Sequence, residues 1–241
     1  MPEEKKLTGY PSIDKPWLKY YSEEAINAPL PESTAYEYIW ENNKTRLDDI
    51  ALIYFNRKIT YREMFERIEK TATAFLNLGV KQGDIVALML PNIPEMIYCM
   101  YALNKIGAIS DMIDLRTKGN TLIYYLQETN TSVAVICDLF AENMFDVLGK
   151  TSLEHIIIGS PFDSLPAPLR AVMRRKSRKV SSAMPPMAVA WNGFLNDKSG
   201  ATPVSVGEAG DSACIFHTSG TTGLPKGVMM TNLNFNAMAA Q

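Results

Sequence analysis

The chain has 241 residues, with 24 Lys and Arg against 26 Asp and Glu, for a formal charge of −2 at pH 7. A 46% hydrophobic composition supplies the core of one large domain or two small ones and excludes a wholly disordered chain. The near-neutral balance gives nucleic acid no electrostatic hold as a main partner. The three cysteines (Cys99, Cys137 and Cys214) are widely spaced with no CxxC pair, which argues against a disulfide framework or zinc site and for a reducing, cytoplasmic setting.

Residues 1–33 are rich in Pro, Lys and Tyr and read as an irregular lead-in wrapped over the body. They carry no secretory signal, because no apolar run follows the lysines. A short helix is expected over Thr34–Asn42, then a hairpin from Leu47–Phe55 to Lys58-Ile59 turning at Asn56-Arg57. Thr60 and Glu63 have capping-box spacing. Phe65, Ile68, Ala72, Phe75 and Leu76 then mark one face of a helix that stops at Gly79.

From there strands and helices alternate. Strands are expected at Ile85–Leu90, Ala108–Ile113, Val133–Cys137 and His155–Ile158, and helices at Pro94–Lys105, Thr121–Glu128 and Leu139–Leu148. The apolar runs lack polar alternation, as strands buried on both faces do. The pattern predicts an α/β fold: an open, doubly wound, mostly parallel sheet with helices on both faces. The one membrane-like stretch, Ile85–Ile109, is broken by Pro91, Asn92, Pro94, Glu95 and Lys105 and falls short of the about 18 apolar residues of a span.

Residues 161–186 interrupt this rhythm. They contain Arg170, Arg174, Arg175, Lys176, Arg178 and Lys179. A solvated surface helix explains this charge, and contact with an anionic membrane surface through residues 170–179 is the weaker reading.

The chemistry concentrates in residues 211–241. An apolar strand, Ala213–Phe216, runs into His217-Thr218-Ser219-Gly220-Thr221-Thr222-Gly223-Leu224-Pro225-Lys226-Gly227. Its glycines permit close backbone approach, the hydroxyls of Thr218, Ser219, Thr221 and Thr222 add donors, and Lys226 adds one mobile cation. Such an array suits a multiply charged phosphate. It lacks the Gly-Lys pair of a Walker loop, and by composition alone a Gly/Thr-rich hairpin turn accounts for it equally well.

Residue order resolves this choice. The run Thr218–Gly227 resembles the signature loop of the adenylate-forming (AMP-binding) superfamily, which includes acyl-CoA synthetases, luciferases and amino-acid adenylation domains. Ile59–Glu63, Leu78-Gly79-Val80, Gly83–Ala87, Leu90–Glu95 and Lys105–Ala108 are similar to the family's earlier segments, so the likeness covers most of residues 34–241 in order. The resemblance implies attack of a carboxylate, with a fatty acid favoured, on ATP to give an acyl-adenylate and pyrophosphate, followed by transfer to coenzyme A. It implies that Thr218, Ser219, Gly220, Thr221, Thr222, Gly223 and Lys226 hold the β- and γ-phosphates, with Lys226 the catalytic charge. It also implies that Thr218 is a ligand of the Mg2+ that accompanies ATP.

Two departures stand out: Thr231-Asn232 where many relatives read Thr-His, and Asp114-Leu115-Arg116 where many read Asn-Pro-Arg. The first alters a neighbour of the acyl site. His217, before the loop, reads as a packed histidine at a strand end rather than a catalytic one, and His155 as structural. Family members are more than twice as long, so residues 34–241 are expected to be a truncated N-terminal subdomain, inactive alone. The alternatives are a free-standing nucleotide- or partner-binding module and the first part of an amino-acid adenylation domain.

Overall fold

A computed structural model describes residues 7–176, 184–196, 202–218 and 225–240. The lead-in departs from expectation in two ways. It contains two short helices, α1 (Pro11–Asp14) and α2 (Glu23–Asn27), with a 3-10 turn between them, and it buries no residue in any of them. Ser22 caps α2 by accepting from the Ala25 N–H, which is local bonding that needs no packing partner.

Helix α3 (Ala35–Asn43) begins at a complete capping box: Thr34 accepts from the Glu37 N–H while the Glu37 carboxylate accepts from the Thr34 N–H. Strands β1 (Ile50–Tyr54) and β2 (Arg57–Thr60) pair antiparallel with Tyr54 opposite Arg57. The turn is therefore Phe55-Asn56, one residue earlier than expected, and both carry positive φ of 46° and 61°. A two-residue hairpin of matching twist requires that geometry, and Asn56 tolerates it well. Helix α4 (Tyr61–Asn77) forms only half of the expected capping box. Thr60 accepts from the Glu63 N–H, but the Glu63 carboxylate is taken by Arg57. Its end is a Schellman cap, in which Gly79 (φ 86°) and Val80 donate to the Leu76 and Phe75 carbonyls.

The main sheet contains β3 (Ile85–Met89), β4 (Ile109–Met112), β5 (Val133–Cys137), β6 (His155–Gly159), β7 (Ala188–Ala190), β8 (Ser212–Thr218) and β9 (Lys226–Thr231), in the order β7-β6-β5-β3-β4-β8-β9. All neighbours pair in parallel except β9, which runs antiparallel along the edge beside β8. Strands β7 and β9 were not foreseen, because the first has only three residues and the second follows directly on a glycine-rich loop.

Alternate residues explain why these strands look uniformly apolar. Val86, Leu88, Val133, Val135 and Ile157 face one core with α3, α4, α5 (Pro94–Lys105) and α9 (Trp191–Phe194). Ala87, Met89, Ala134, Ile136 and Ile156 face the other core with α6 (Gly119–Glu128) and α7 (Ala141–Phe145). Both faces are covered, so neither needs polar residues. The helix expected over Leu139–Leu148 is only the five-residue α7 between two 3-10 turns. The ladder tightens to i−3 where the Val147 N–H donates to Met144.

A buried cation locks the helical layer. Lys105 pairs with Glu69 of α4 and lies 4.8 Å over the Tyr36 ring, and Tyr36 Oη donates to the same carboxylate at 2.8 Å. These contacts join α3, α4 and α5. All three cysteines are buried free thiols. Among the described residues no helix is long and apolar enough to cross a membrane. Of the basic stretch, residues 170–176 lie on α8 (Ala167–Lys176), and Arg178 and Lys179 fall outside the described residues.

Candidate active site

The site is built on the β8–β9 hairpin. Strand β8 is buried at Ala213, Cys214 and Ile215, where it lies between β4 and β9, and it becomes exposed towards Thr218 as the chain leaves the sheet. Strand β9 returns in register: Phe216 faces Val228, His217 faces Gly227 and Thr218 faces Lys226. Thr218 Oγ1 donates to the Lys226 carbonyl at 3.4 Å, across the mouth of the hairpin. Thr218 and Lys226 are thus brought together at the two feet of the glycine- and threonine-rich connection, and both are exposed. Ser219, Gly220, Thr221, Thr222 and Gly223, the remaining expected phosphate ligands, lie outside the described residues.

Beneath the hairpin is a buried polar cluster. The His217 ring stacks on Tyr125 of α6, centroids 3.7 Å apart and planes 22° from parallel, and its Nε2 meets Asp111 Oδ1 of β4 at 2.6 Å. Asp111 is fully buried, and burial holds its carboxyl above the ordinary range against the opposing pull of the His217 bond. Among the described residues Asp111 Oδ2, Ser110 Oγ and His217 Nδ1 have no hydrogen-bond partner. Gly227 packs closely beside this cluster: a Cβ there would lie 3.0 Å from Ile215 Cγ2, so a side chain would require Ile215 to give by a few tenths of an ångström. The cluster therefore anchors the residue preceding Thr218 by stacking and by a hydrogen bond.

Asp111 has no motif of its own. Its signal is a carboxylate inside an otherwise apolar strand, which requires a partner on some other element. The partner, 106 residues further on, is visible only in the fold.

The two departures from the family pattern differ in kind. Asp114 and Arg116 pair at 2.6 Å on the exposed loop after β4, where the Arg116 hydrogen bond pulls the Asp114 carboxyl down to about 2. Asn232 instead opens α10 (Asn232–Ala240) with a buried side chain. Its Oδ1 accepts from Ala35 N–H at 3.0 Å and from Asn104 Nδ2 at 2.7 Å, and its Nδ2 donates to the Glu208 carbonyl at 2.9 Å. It is an internal clamp between α10, α3 and α5. The helix is capped by Thr231 and Asn234 reciprocally, as the Asn234 side chain accepts from the Thr231 N–H at 2.9 Å and Thr231 Oγ1 accepts from the Asn234 N–H at 3.3 Å.

The model of the family described as AMP-binding enzyme matches residues 39–241. A crotonobetaine/carnitine–CoA ligase of Salmonella paratyphi B is 33% identical over 197 residues, covering 78% of this chain and 34% of the relative. A long-chain-fatty-acid–CoA ligase of Bacillus subtilis is 27% identical over 229 residues, covering 92% of this chain and 41% of the relative. Among solved structures, an anthranilate CoA ligase bound to anthranoyl-AMP superposes with a TM-score of 0.70 at 21% identity, covering 87% of this chain and 36% of that one. A long-chain-fatty-acid–CoA ligase from Archaeoglobus fulgidus gives 0.67 at 23%, covering 88% and 39%. The chain thus spans roughly a third to two fifths of the relatives it matches. With the doubly wound sheet, the β8–β9 hairpin and a family match over residues 39–241, this chain belongs to the AMP-binding enzyme family.

Proposed function

We propose that this chain is the N-terminal, phosphate-binding part of an ATP-dependent acyl-CoA synthetase acting in the cytoplasm on a carboxylic acid, with a fatty acid the favoured class. The observation that carries this reading is the cross-strand pairing of Thr218 with Lys226, which sets a hydroxyl and a cationic residue at the two ends of one glycine-rich segment. Relatives named as CoA ligases support the substrate class. The carboxylate oxygen bonds to the α-phosphorus as the bond to pyrophosphate breaks, and the coenzyme A sulfur then displaces AMP from the acyl carbon. No protein nucleophile is needed. The hairpin contributes position and charge, since backbone amides and hydroxyls of residues 218–223 receive the β- and γ-phosphates and Lys226 offsets the charge that builds on the leaving pyrophosphate.

The exposed Thr218 hydroxyl is a hard oxygen donor and fits a Mg2+ ligand, the rest of the shell coming from phosphate oxygens and water. When bound, Mg2+ neutralises phosphate charge. ATP-dependent thioester formation across a panel of carboxylic acids by the full-length protein tests the activity, and failure with every acid and thiol would overturn it. The 241 residues alone are expected to show no ATP–pyrophosphate exchange above background. For Lys226→Ala, loss of a charged hydrogen bond of about 1.5–3 kcal/mol predicts roughly 10- to 100-fold weaker ATP binding by titration calorimetry. Equal affinity in variant and wild type would remove Lys226 from the phosphate role.

A further inference from the structure

A second polar cavity, about 330 Å³ in volume, opens beside the C-terminal ends of β3, β6 and β7. In an open α/β sheet this is the side on which ligands bind, next to the point where successive strands diverge in direction, here from β4 on one flank of β3 to β5 on the other. The cavity is lined by Arg57, Arg67, Arg170, Glu95, Tyr98 and Ser164. Asp163 also lines it, but its Oδ2 already accepts from the Ser160 N–H at 3.0 Å.

Two of these groups are unmatched in complementary ways. Glu95, in the first turn of α5, is 1% exposed, and its Oε1 accepts from Ser164 Oγ at 2.6 Å. Its Oε2 has no hydrogen-bond partner among the described residues. An ionised carboxylate oxygen in that position demands a donor. Arg67 of α4 is the converse: its guanidinium forms no hydrogen bond or ion pair to any described residue, although it faces the Glu95 charge across the cavity. Arg57 and Arg170 are anchored at the rim by bonds to the carbonyls of Ser164 (3.0 Å) and Asp163 (3.4 Å), and Arg57 also pairs with Glu63, which still leaves further N–H groups on each. The cavity therefore needs one ligand that offers anionic oxygens to arginine and a hydrogen to Glu95.

We propose that this cavity binds inorganic phosphate in its hydrogen-bearing form, the anionic oxygens on the Arg57, Arg67 and Arg170 guanidiniums and the P–OH donating to Glu95 Oε2. The inference stands independently of the ligase reading, because the Thr218–Lys226 hairpin lies at the end of a different strand, β8. Three anions distinguish the ligand. Hydrogenphosphate keeps a proton at pH 8, sulfate has none, and a phosphomonoester, with its second pKa at about 6, has lost its own. Burial pushes the Glu95 carboxyl up to about 7, so at pH 8 it is mainly ionised and acts mainly as an acceptor.

Calorimetric titration at pH 8 and matched ionic strength is expected to show inorganic phosphate binding about tenfold or more tighter than sulfate or glycerol 2-phosphate. Glu95→Gln, which supplies a donor, is expected to abolish that preference. Arg67→Gln is expected to weaken phosphate about tenfold, with Arg67→Lys intermediate and Lys226→Ala unchanged. Equal binding of phosphate and sulfate by wild type overturns the proposal, as does the absence of phosphate binding at millimolar concentration. Tighter binding of the ester than of phosphate, or loss of binding in Lys226→Ala but not in Arg67→Gln, does the same. Should a variant not fold, the wild-type comparison of the three anions decides alone.

Discussion

Between pH 4.5 and about pH 8, wild-type protein loses about 3 kcal/mol of stability relative to Glu95→Gln, because burial raises the Glu95 carboxyl from 4.5 to about 7. The sign follows from which state holds the proton more tightly. The folded state does, so the carboxyl's contribution is fully present below the unfolded value and disappears as pH rises through the folded one. Desolvation is the leading cause, opposed by the hydrogen bond from Ser164. Glutamine keeps the shape and the Ser164 bond and carries no charge to desolvate. Denaturant titrations of both proteins across this range measure the effect, and parallel pH profiles would show that Glu95 ionises in the folded protein as easily as in the unfolded chain. The same residue is thus expected to cost stability at neutral pH, as groups retained for binding often do.

Asn232→Leu is expected to destabilise the fold by about 3 kcal/mol. Leucine has the same side-chain branching and heavy-atom count but bulkier methyls, so the loss comes chiefly from polar groups stranded in a dry site, with some overpacking added. The Ala35 N–H and Asn104 Nδ2 lose their shared acceptor, and the Glu208 carbonyl loses its donor. Asn104 in turn accepts from the Tyr36 N–H at 2.8 Å, so the disturbance reaches the first turn of α3. Two residues further on, Asn234→Ala removes only an exposed cap and should cost about 1 kcal/mol. Urea denaturation of the two variants separates these outcomes. A loss in Asn232→Leu no greater than in Asn234→Ala would mean that α10 holds its place without the clamp.

This clamp also changes how the Thr231-Asn232 departure is understood. In sequence it is a substitution beside an acyl site. In the fold it is a fully engaged internal side chain whose partners come from residues 35, 104 and 208, on other segments of the chain. No local pattern connects those positions, because an asparagine needs only that its partners be near in space. The same is true of Asp111 with His217. Glu63, whose carboxylate was expected to close a capping box, instead pairs with Arg57 at the start of β2, six residues before it.

Local and repeated forces were legible without the fold. Helix α5 has the predicted bounds because proline is tolerated in its first turn and a positive-φ glycine, Gly107, follows its last. Strand β5 has its predicted bounds because five consecutive apolar residues fit only a strand covered on both faces. The glycine- and threonine-rich loop announced the family by residue order, and the family match over residues 39–241 agrees. The edge strand β9 is not legible because its apolar run, Val228–Met230, is only three residues long and follows a glycine-rich loop, and its pairing partner is β8.

What the sequence determined by itself about these 241 residues is a near-neutral α/β chain with a glycine- and threonine-rich loop, in the family's residue order, after its last buried strand. These features depend on neighbours a few positions apart, where helix caps, strand period and turn chemistry act. The tertiary structure alone decided that Thr218 stands opposite Lys226, that His217 is held by Asp111 and Tyr125, and that Glu95 and Arg67 share a cavity. Those pairings join residues from eight to more than a hundred positions apart. Their energy arises from desolvation and charge, which exist only after the sheet has brought the segments together.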